Sequence, residues 1–277
     1  NKIEESIDIF TPSRDELNLL NLQKCEDYVK KLKPDILINL AAYTAVDKAE
    51  NDIDNALAIN GLALRSFANV IKHYGGYIIQ ISTDYVFNGE NKIPYQTDHA
   101  RDPLNIYGKT KAKGEMFLED ILSKTNQFTI IRTSWLVSPW GQNFVKTILK
   151  KLKENKETLN IVSDQIGCLT TAKNLALLIK ILIEKKINNK LLPSHLHWSS
   201  SGETNWYEIA LKIKEISNSI NLVNSSIDIL PVKTADYKTL CSRPKFSLLD
   251  TSLATKKLGI RSNFWWNDLD DLLNEIK

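Results

Sequence analysis

At 277 residues, with 43% hydrophobic and 25% charged positions, the chain is long enough to bury a substantial core and has an ordinary globular composition. The net charge of +3, with lysines scattered among acids, argues against nucleic-acid or anionic-membrane binding, because no long basic block is present. Cys25, Cys168 and Cys241 are far apart and form no C-x-x-C, which argues against a disulfide framework or a zinc site and for a reducing compartment. No signal peptide is visible, and the apolar stretch "LALLIKILI" is too short to span a bilayer and is interrupted by Lys180. A cytoplasmic location is therefore expected.

The chain opens at Asn1 with a polar segment rather than at Met, so the natural N-terminus is expected to be missing. "SIDIF" (6–10) reads as a strand, and "LQKCEDYVKKLK" as a helix that ends before Pro34. Three unbroken apolar runs then read as buried parallel strands: "DILINLAA" (35–42), "GYIIQIST" (76–83) and "FTIIRTS" (128–134). Between them lie the amphipathic helical stretches "DNALAINGLALRSFANVIKHY" and "YGKTKAKGEMFLEDILSK". This alternation predicts an α/β fold, a Rossmann-like doubly wound parallel sheet. Later helices ("TNWYEIALKIKEI", "DTSLATKKLGI", "DLDDLLNEI") sit among irregular Trp- and Pro-containing stretches and read as a smaller, interwoven substrate-binding lobe. The expected division is 1–134 and about 156–190 for the nucleotide-cofactor domain, and about 135–155 and 191–277 for the lobe. The sequence holds no internal repeat or low-complexity linker.

In an open parallel sheet, ligands bind beyond the carboxyl ends of the strands. Those ends read Ala41-Ala42-Tyr43-Thr44, Ser82-Thr83-Asp84-Tyr85 and Thr133-Ser134-Trp135. Tyr107 opens the next helix and is the one tyrosine followed four positions later by a lysine, Lys111. With nine tyrosines in the chain, one such spacing is expected by chance, so the neighbours must decide its meaning. A tyrosine and lysine at i and i+4 share a helix face, and a nearby ammonium lowers the phenol's pKa from about 10. Such a phenol can give a proton to a carbonyl oxygen as hydride reaches its carbon, while Thr83 holds the same oxygen.

The segments "INLAAYTAVDKAE", "ISTDYVF", "NIYGKTKAKGE", "IRTSWLVSPWGQNFVKT", "VSDQIGCLT" and "RPKFSLLDT" together resemble the dTDP-4-dehydrorhamnose reductase family of extended short-chain dehydrogenases/reductases. The resemblance runs from about residue 6 to about residue 260. It implies reduction of the C4 ketone of dTDP-4-dehydro-L-rhamnose to dTDP-L-rhamnose. It makes Tyr107 the proton donor, Lys111 the residue that binds the nicotinamide ribose and tunes Tyr107, and Thr83 the third member of the triad. Thr83, Asp84 and Trp135 are implied to touch the sugar nucleotide. Ala41, Ala42, Tyr43 and Thr44 match the stretch beside the cofactor, and Asn18 and Leu19 the pair near its adenine. In "FTPSRDEL", Arg14 follows the first strand with no carboxylate at the strand end, which favours a 2′-phosphate and hence NADPH, with some NADH use left open.

The chain departs from the family in several places. No G-x-x-G-x-x-G occurs, and the sequence is expected to be a piece that lacks this pyrophosphate-binding segment. Leu169 stands where the family has proline, Phe246 where it often has asparagine, and Asn18 where it often has aspartate. Magnesium is associated with the family, but no ligand set matches here residue by residue, so no metal site is assigned. The expected partners are a dTDP-sugar and, at most, a second copy of the chain in a homodimer.

Asp47 and Glu50 read as helix-start charges with local pairs, the "DQIG" turn at Asp164 as structural, and His197 as a satisfied structural histidine. Three rival readings stay open: another nucleotide-sugar 4-ketoreductase, a dehydratase or epimerase of the same superfamily, or a non-catalytic regulatory protein of the same fold. Dehydratases resemble this chain at "STD" but follow it with a glutamate, where this chain has Tyr85.

Overall fold

The computed structural model describes residues 7–154 and 158–277. In chain order, α1 (Leu22–Leu32) leads to β1 (Ile36–Asn39), and α2 (Val46–Ala49) is followed by α3 (Ile53–Leu57). A π-helical turn, Ala58–Leu62, joins α3 to α4 (Ala63–Tyr74) without a break. β2 (Tyr77–Thr83) and a single 3-10 turn, Asp84–Val86, precede α5 (Ile106–Leu122) and β3 (Phe128–Thr133). Then come β4 (Leu136–Val137), α6 (Phe144–Glu154), β5 (Leu159–Val162), β6 (Ile166–Gly167), β7 (Thr170–Thr171), α7 (Ala172–Ile187), β8 (His195–Trp198) and β9 (Thr204–Asn205). The chain closes with α8 (Trp206–Ser219), β10 (Ile229–Val232), α9 (Ser252–Leu258) and α10 (Trp265–Ile276).

Four strands form the central sheet in the order β1-β2-β3-β8, and every neighbouring pair is parallel. Helices cover both faces, which is why Ile36 to Ile38, Tyr77 to Ile79 and Ile130 to Ile131 are unbroken apolar runs rather than alternating. On one face Leu64, Phe67 and Ile71 of α4 and Leu118 and Leu122 of α5 pack on Ile78 and Ile130. On the other, Leu175, Leu178 and Leu182 of α7 and Leu258 of α9 pack on Ile79, Ile131 and Leu196. A separate core gathers Ile148 and Leu152 of α6, Ile209 and Ile213 of α8, and Leu269 and Leu273 of α10. Leu169 is buried in this core and Phe246 packs against it.

Two expectations change. Ile7 to Phe10 form no strand, and Ile9 and Phe10 are exposed. A strand needs a neighbour to receive its backbone hydrogen bonds, and this stretch finds none among the described residues. Ser6, the first residue of that expected strand, lies outside them. The second change concerns the segment from 191 onward, which the sequence assigns whole to the substrate lobe. Within it, β8 pairs with β3 in the central sheet and α9 packs on that sheet. The run "HLHW" is too short for its burial to be read from sequence periodicity alone.

Candidate active site

Helix α5 carries the site, and its first turn is fixed from three sides. The Asn105 side chain accepts a hydrogen bond from Gly108 N–H at 2.8 Å, and Glu50 Oε1 accepts one from Ile106 N–H at 2.9 Å. Gly108 meets the Tyr85 carbonyl so closely that a Cβ there would overlap it. One and a half turns on, Gly114 meets the Asn60 carbonyl in the same way. Two glycines thus let α5 lie against the turn after β2 and against the π-helical turn. Asn60 sits in that π turn, a feature often found at functional sites. Its Oδ1 accepts from Tyr43 N–H at 2.9 Å and its Nδ2 donates to Thr110 Oγ1 at 3.1 Å. One buried amide therefore ties the loop after β1 to the helix of Tyr107 and Lys111.

The structure brings Tyr107, Thr83, Asp84 and Lys111 together. The Tyr107 phenol lies near the Thr83 hydroxyl, and its ring stands edge-on to Tyr85 at 5.5 Å. Thr83 Oγ1 donates to Asp84 Oδ1 at 3.0 Å and accepts from Tyr85 N–H at 3.2 Å. The Lys111 ammonium donates to the Ile81 carbonyl at 2.6 Å. Asp84 and Lys111 are 2% and 4% exposed, so both charges are held out of water. Asp84 Oδ2 has no hydrogen-bond partner among the described residues. Burial pushes the Asp84 carboxyl up to about 6, against the pull of the Ser247 and Thr83 hydroxyls.

The electrostatics of Tyr107 run opposite to the sequence expectation. Burial, joined by the Asp84 carboxylate, pushes its phenol up to about 12, with the Thr83 hydrogen bond opposing. Removal from water penalises the phenolate more than the local bond favours it. Burial also pulls Lys111 down to about 8, with the Glu115 carboxylate opposing. At neutral pH this arrangement holds a protonated phenol next to a predominantly charged ammonium.

Trp135 lies two residues beyond Thr133, which is in register with Thr83. Its backbone is left-handed (φ 46°), uncommon for a bulky residue, and its indole stacks on Trp206 at 3.9 Å. Gly167 makes room for that indole, since a Cβ there would press on its six-membered ring.

A second group of sequence-predicted residues meets in a cleft beyond β1. Arg14, Asn18, Leu19, Ala41, Ala42, Tyr43 and Thr44 all line this cavity of about 500 Å³. Its walls include Leu17 and Ile59, and Tyr43 Oη donates to Asp52 Oδ2 at 3.0 Å. Apolar walls with a guanidinium among them suit a nucleoside carrying a phosphate.

Sequence reasoning missed the residues that brace the site. Asp47 forms no local pair: its Oδ2 accepts from Arg243 Nη2 at 3.0 Å and its Oδ1 from Cys241 N–H at 3.3 Å. Glu50 caps α5, as described above. Beneath the site, the fully buried Glu115 accepts from Arg132 Nη2 at 2.7 Å and from Arg101 Nη1 at 3.0 Å. The one legible signal was the pair Gly108 and Gly114, helix-weakening residues retained in an otherwise regular helix. His197 is structural: its Nδ1–H donates to the Tyr95 carbonyl at 2.9 Å, and Arg132 donates to Nε2 at 3.3 Å. Asp164 also serves structure, its Oδ1 accepting from Thr234 N–H at 2.8 Å. Among the described residues no group of three or more His, Cys, Asp or Glu side chains is placed to hold a metal ion, and no helix is long and apolar enough to cross a membrane.

A family model, the RmlD substrate binding domain, matches residues 2–277. The chain belongs to this family. Of the relatives with similar sequences, the spore coat polysaccharide biosynthesis protein SpsK of Bacillus subtilis is 41% identical over 88% of this RmlD-family chain and 80% of its own length. The dTDP-4-dehydrorhamnose reductase of Salmonella typhimurium is 34% identical over 90% of this chain and 82% of its own. Among solved structures, dTDP-4-dehydrorhamnose reductase from Bacillus anthracis in complex with NADP superposes with a TM-score of 0.84 at 33% identity, covering 98% of this chain and 90% of that one. Its ortholog from Clostridium acetobutylicum gives 0.88 at 30% identity, covering 98% and 91%. UDP-glucose 4-epimerase from Thermotoga maritima, at 18% identity and a TM-score of 0.74 over 92% of this chain and 81% of that one, shares the fold alone with the RmlD family.

Proposed function

We propose that this chain is an NADPH-dependent oxidoreductase that reduces the C4 ketone of dTDP-4-dehydro-L-rhamnose to give dTDP-L-rhamnose. The observation that carries this reading is the placement of Tyr107 in the first turn of α5, one helical turn from Lys111 and against the carboxyl end of β2 that carries Thr83 and Asp84, in a chain of this family. NADPH supplies the hydride. Tyr107 gives its proton to the ketone oxygen, and Thr83 steadies that oxygen as it becomes a hydroxyl. Lys111 stabilises the phenolate left behind and the nicotinamide ribose. Asp84 offers its unpartnered Oδ2 to a sugar hydroxyl, and Trp135 presents its indole to the sugar nucleotide. The cleft lined by Arg14, Asn18, Leu19 and Ala41 to Thr44 takes the adenosine half of the cofactor.

Tyr85 supports reduction over loss of water. Elimination needs a second carboxylate after Asp84, and here an aromatic ring packs on Tyr107 instead. The 41% identity to SpsK supports a role in polysaccharide synthesis.

The test is to supply the full-length protein with NADPH and dTDP-4-dehydro-L-rhamnose and follow both the loss of reduced-nicotinamide absorbance and the mass of the sugar nucleotide. Stoichiometric oxidation with a gain of two hydrogens on the sugar is expected. An unchanged sugar nucleotide would overturn the reading.

A further inference from the structure

Helix α5 places Glu115 one turn beyond Lys111, and the carboxylate is fully buried. Ser82 Oγ donates to its Oε1, Arg132 holds both its oxygens, and Arg101 donates to Oε2. Ser82 lies between the two β2 residues that matter to the site: Ile81, whose carbonyl accepts from Lys111, and Thr83, which meets Tyr107. The carboxylate thus grips the strand from one side while the ammonium grips it from the other, both from a single helix. A buried ion pair is weak evidence for stability, because two well-packed apolar residues do as well or better. Retaining a carboxylate here calls for a reason beyond Arg132.

We propose that Glu115 is a positioning residue of the reduction site, set one helical turn from Lys111 and, through Ser82, fixing the strand that carries Ile81 and Thr83. This rests on the reading of the site as a reductase. The elements packed on α5 bring Asp47 and Lys48 of α2 with Glu50 beside it, Asp54 of α3, Arg65, Lys72 and His73 of α4, Asp84 and Tyr85 after β2, and Arg132 of β3, while α5 itself carries Tyr107, Lys109, Lys113, Glu115, Glu119 and Asp120. Of these, Glu115 is the one whose charge bears on the ammonium, and it opposes the loss of charge that burial causes. The ammonium, 4% exposed, donates to the Ile81 carbonyl, and the Glu115 charge acts on it from one helical turn away.

The experiment follows the titration of Lys111 by NMR of ¹³C-labelled lysine side chains, assigned with Lys111→Arg, and needs neither substrate nor cofactor. In Glu115→Gln the midpoint should fall by about one pH unit or more, and the alkaline limb of kcat should move with it. Ser82→Ala leaves the charge in place and should lower kcat without moving the limb. Glu115→Asp should restore the Lys111 midpoint towards that of the unaltered chain. Lys111 unmoved in a folded Glu115→Gln, or an unaltered kcat in Ser82→Ala, would overturn the proposal, and the Ser82 variant decides it if Glu115→Gln does not fold. Lack of turnover in the unaltered chain would instead overturn the reductase reading, leaving the Lys111 titration to judge Glu115 separately.

Discussion

Gly108 and the Tyr85 carbonyl lie in direct contact, with no room for a side chain between them. Because Tyr107 precedes Gly108 and its ring packs against Tyr85, this contact sets the depth at which the phenol sits over Thr83. Gly108→Ala should therefore push the first turn of α5 off the strand. Alanine's better helix propensity, about 1 kcal/mol, is outweighed by overpacking of about 1–3 kcal/mol against backbone that cannot yield. Thermal unfolding should show a lower Tm. Turnover should fall by more than the loss of folded protein explains, because a displacement near 1 Å costs about a hundredfold in rate. Wild-type turnover in this variant would show that the contact does not place Tyr107.

Tyr107→Phe removes the proton donor and leaves the ring in its place against Tyr85. Turnover should drop by about 10²–10⁴ while the melting temperature and cofactor affinity stay close to those of the unaltered chain. Comparable turnover by the two proteins would exclude Tyr107 as the acid.

Arg14 should select the phosphorylated cofactor. It lines the cleft with Asn18 and Leu19, and a guanidinium holds a phosphate through charge-assisted hydrogen bonds. The ratio of kcat/KM for NADPH over NADH should exceed one and should shrink in Arg14→Ala. A ratio that the substitution leaves untouched would assign cofactor choice elsewhere.

Acid should destabilise the fold in two stages. Burial, and then the Arg132 guanidinium, push His197 from 6.5 down to about 3. The unfolded chain therefore binds a proton that the folded chain refuses, and the stability present above pH 6.5 is lost progressively as pH falls towards 3. Hydrogen bonds from His195 and Arg101 outweigh burial at Glu119 and hold it at about 2, against an ordinary 4.5. Its contribution is present above 4.5 and is lost as pH falls through that lower window. Each proton taken up only on unfolding costs about 1.4 kcal/mol per pH unit. Asp84, raised from 3.8 to about 6, takes up a proton on folding and offsets part of the His197 loss between those values, so below pH 6.5 urea midpoints should fall more steeply in the unaltered chain than in His197→Gln. Equal slopes in the two proteins would exclude His197 as the source of the upper stage.

The residues placed at the site were largely legible because each belongs to a short continuous stretch at a strand end. Ala41 to Thr44, Thr83 and Asp84, and Tyr107 with Lys111 all follow unbroken apolar runs, and parallel-sheet geometry sends such ends to one edge. The bracing residues left no such trace. Asn60 finds Thr110 fifty positions away, Glu115 finds Arg132 across a strand, and Asp47 finds Arg243 in the segment between β10 and α9. Which partner a polar side chain meets depends on tertiary packing, and no periodicity records it. The pKa of Tyr107 was misjudged for a related reason: the i, i+4 rule supplies the neighbour but not the burial that outweighs it. "SIDIF" had the composition of a strand, yet pairing rather than composition makes one.

The bond between Asp47 and Arg243 joins positions 196 apart, and that between Asn105 and the Ser242 carbonyl joins positions 137 apart. Closing such long loops is entropically costly and slow, so these contacts belong late in folding. On the ribosome, the central sheet can assemble while this clasp is still being synthesised. A nascent chain stopped short of residue 241 would hold Tyr107 and Lys111 on their helix with the rim above them still open, so the site is finished only once Ser242 and Arg243 have been made.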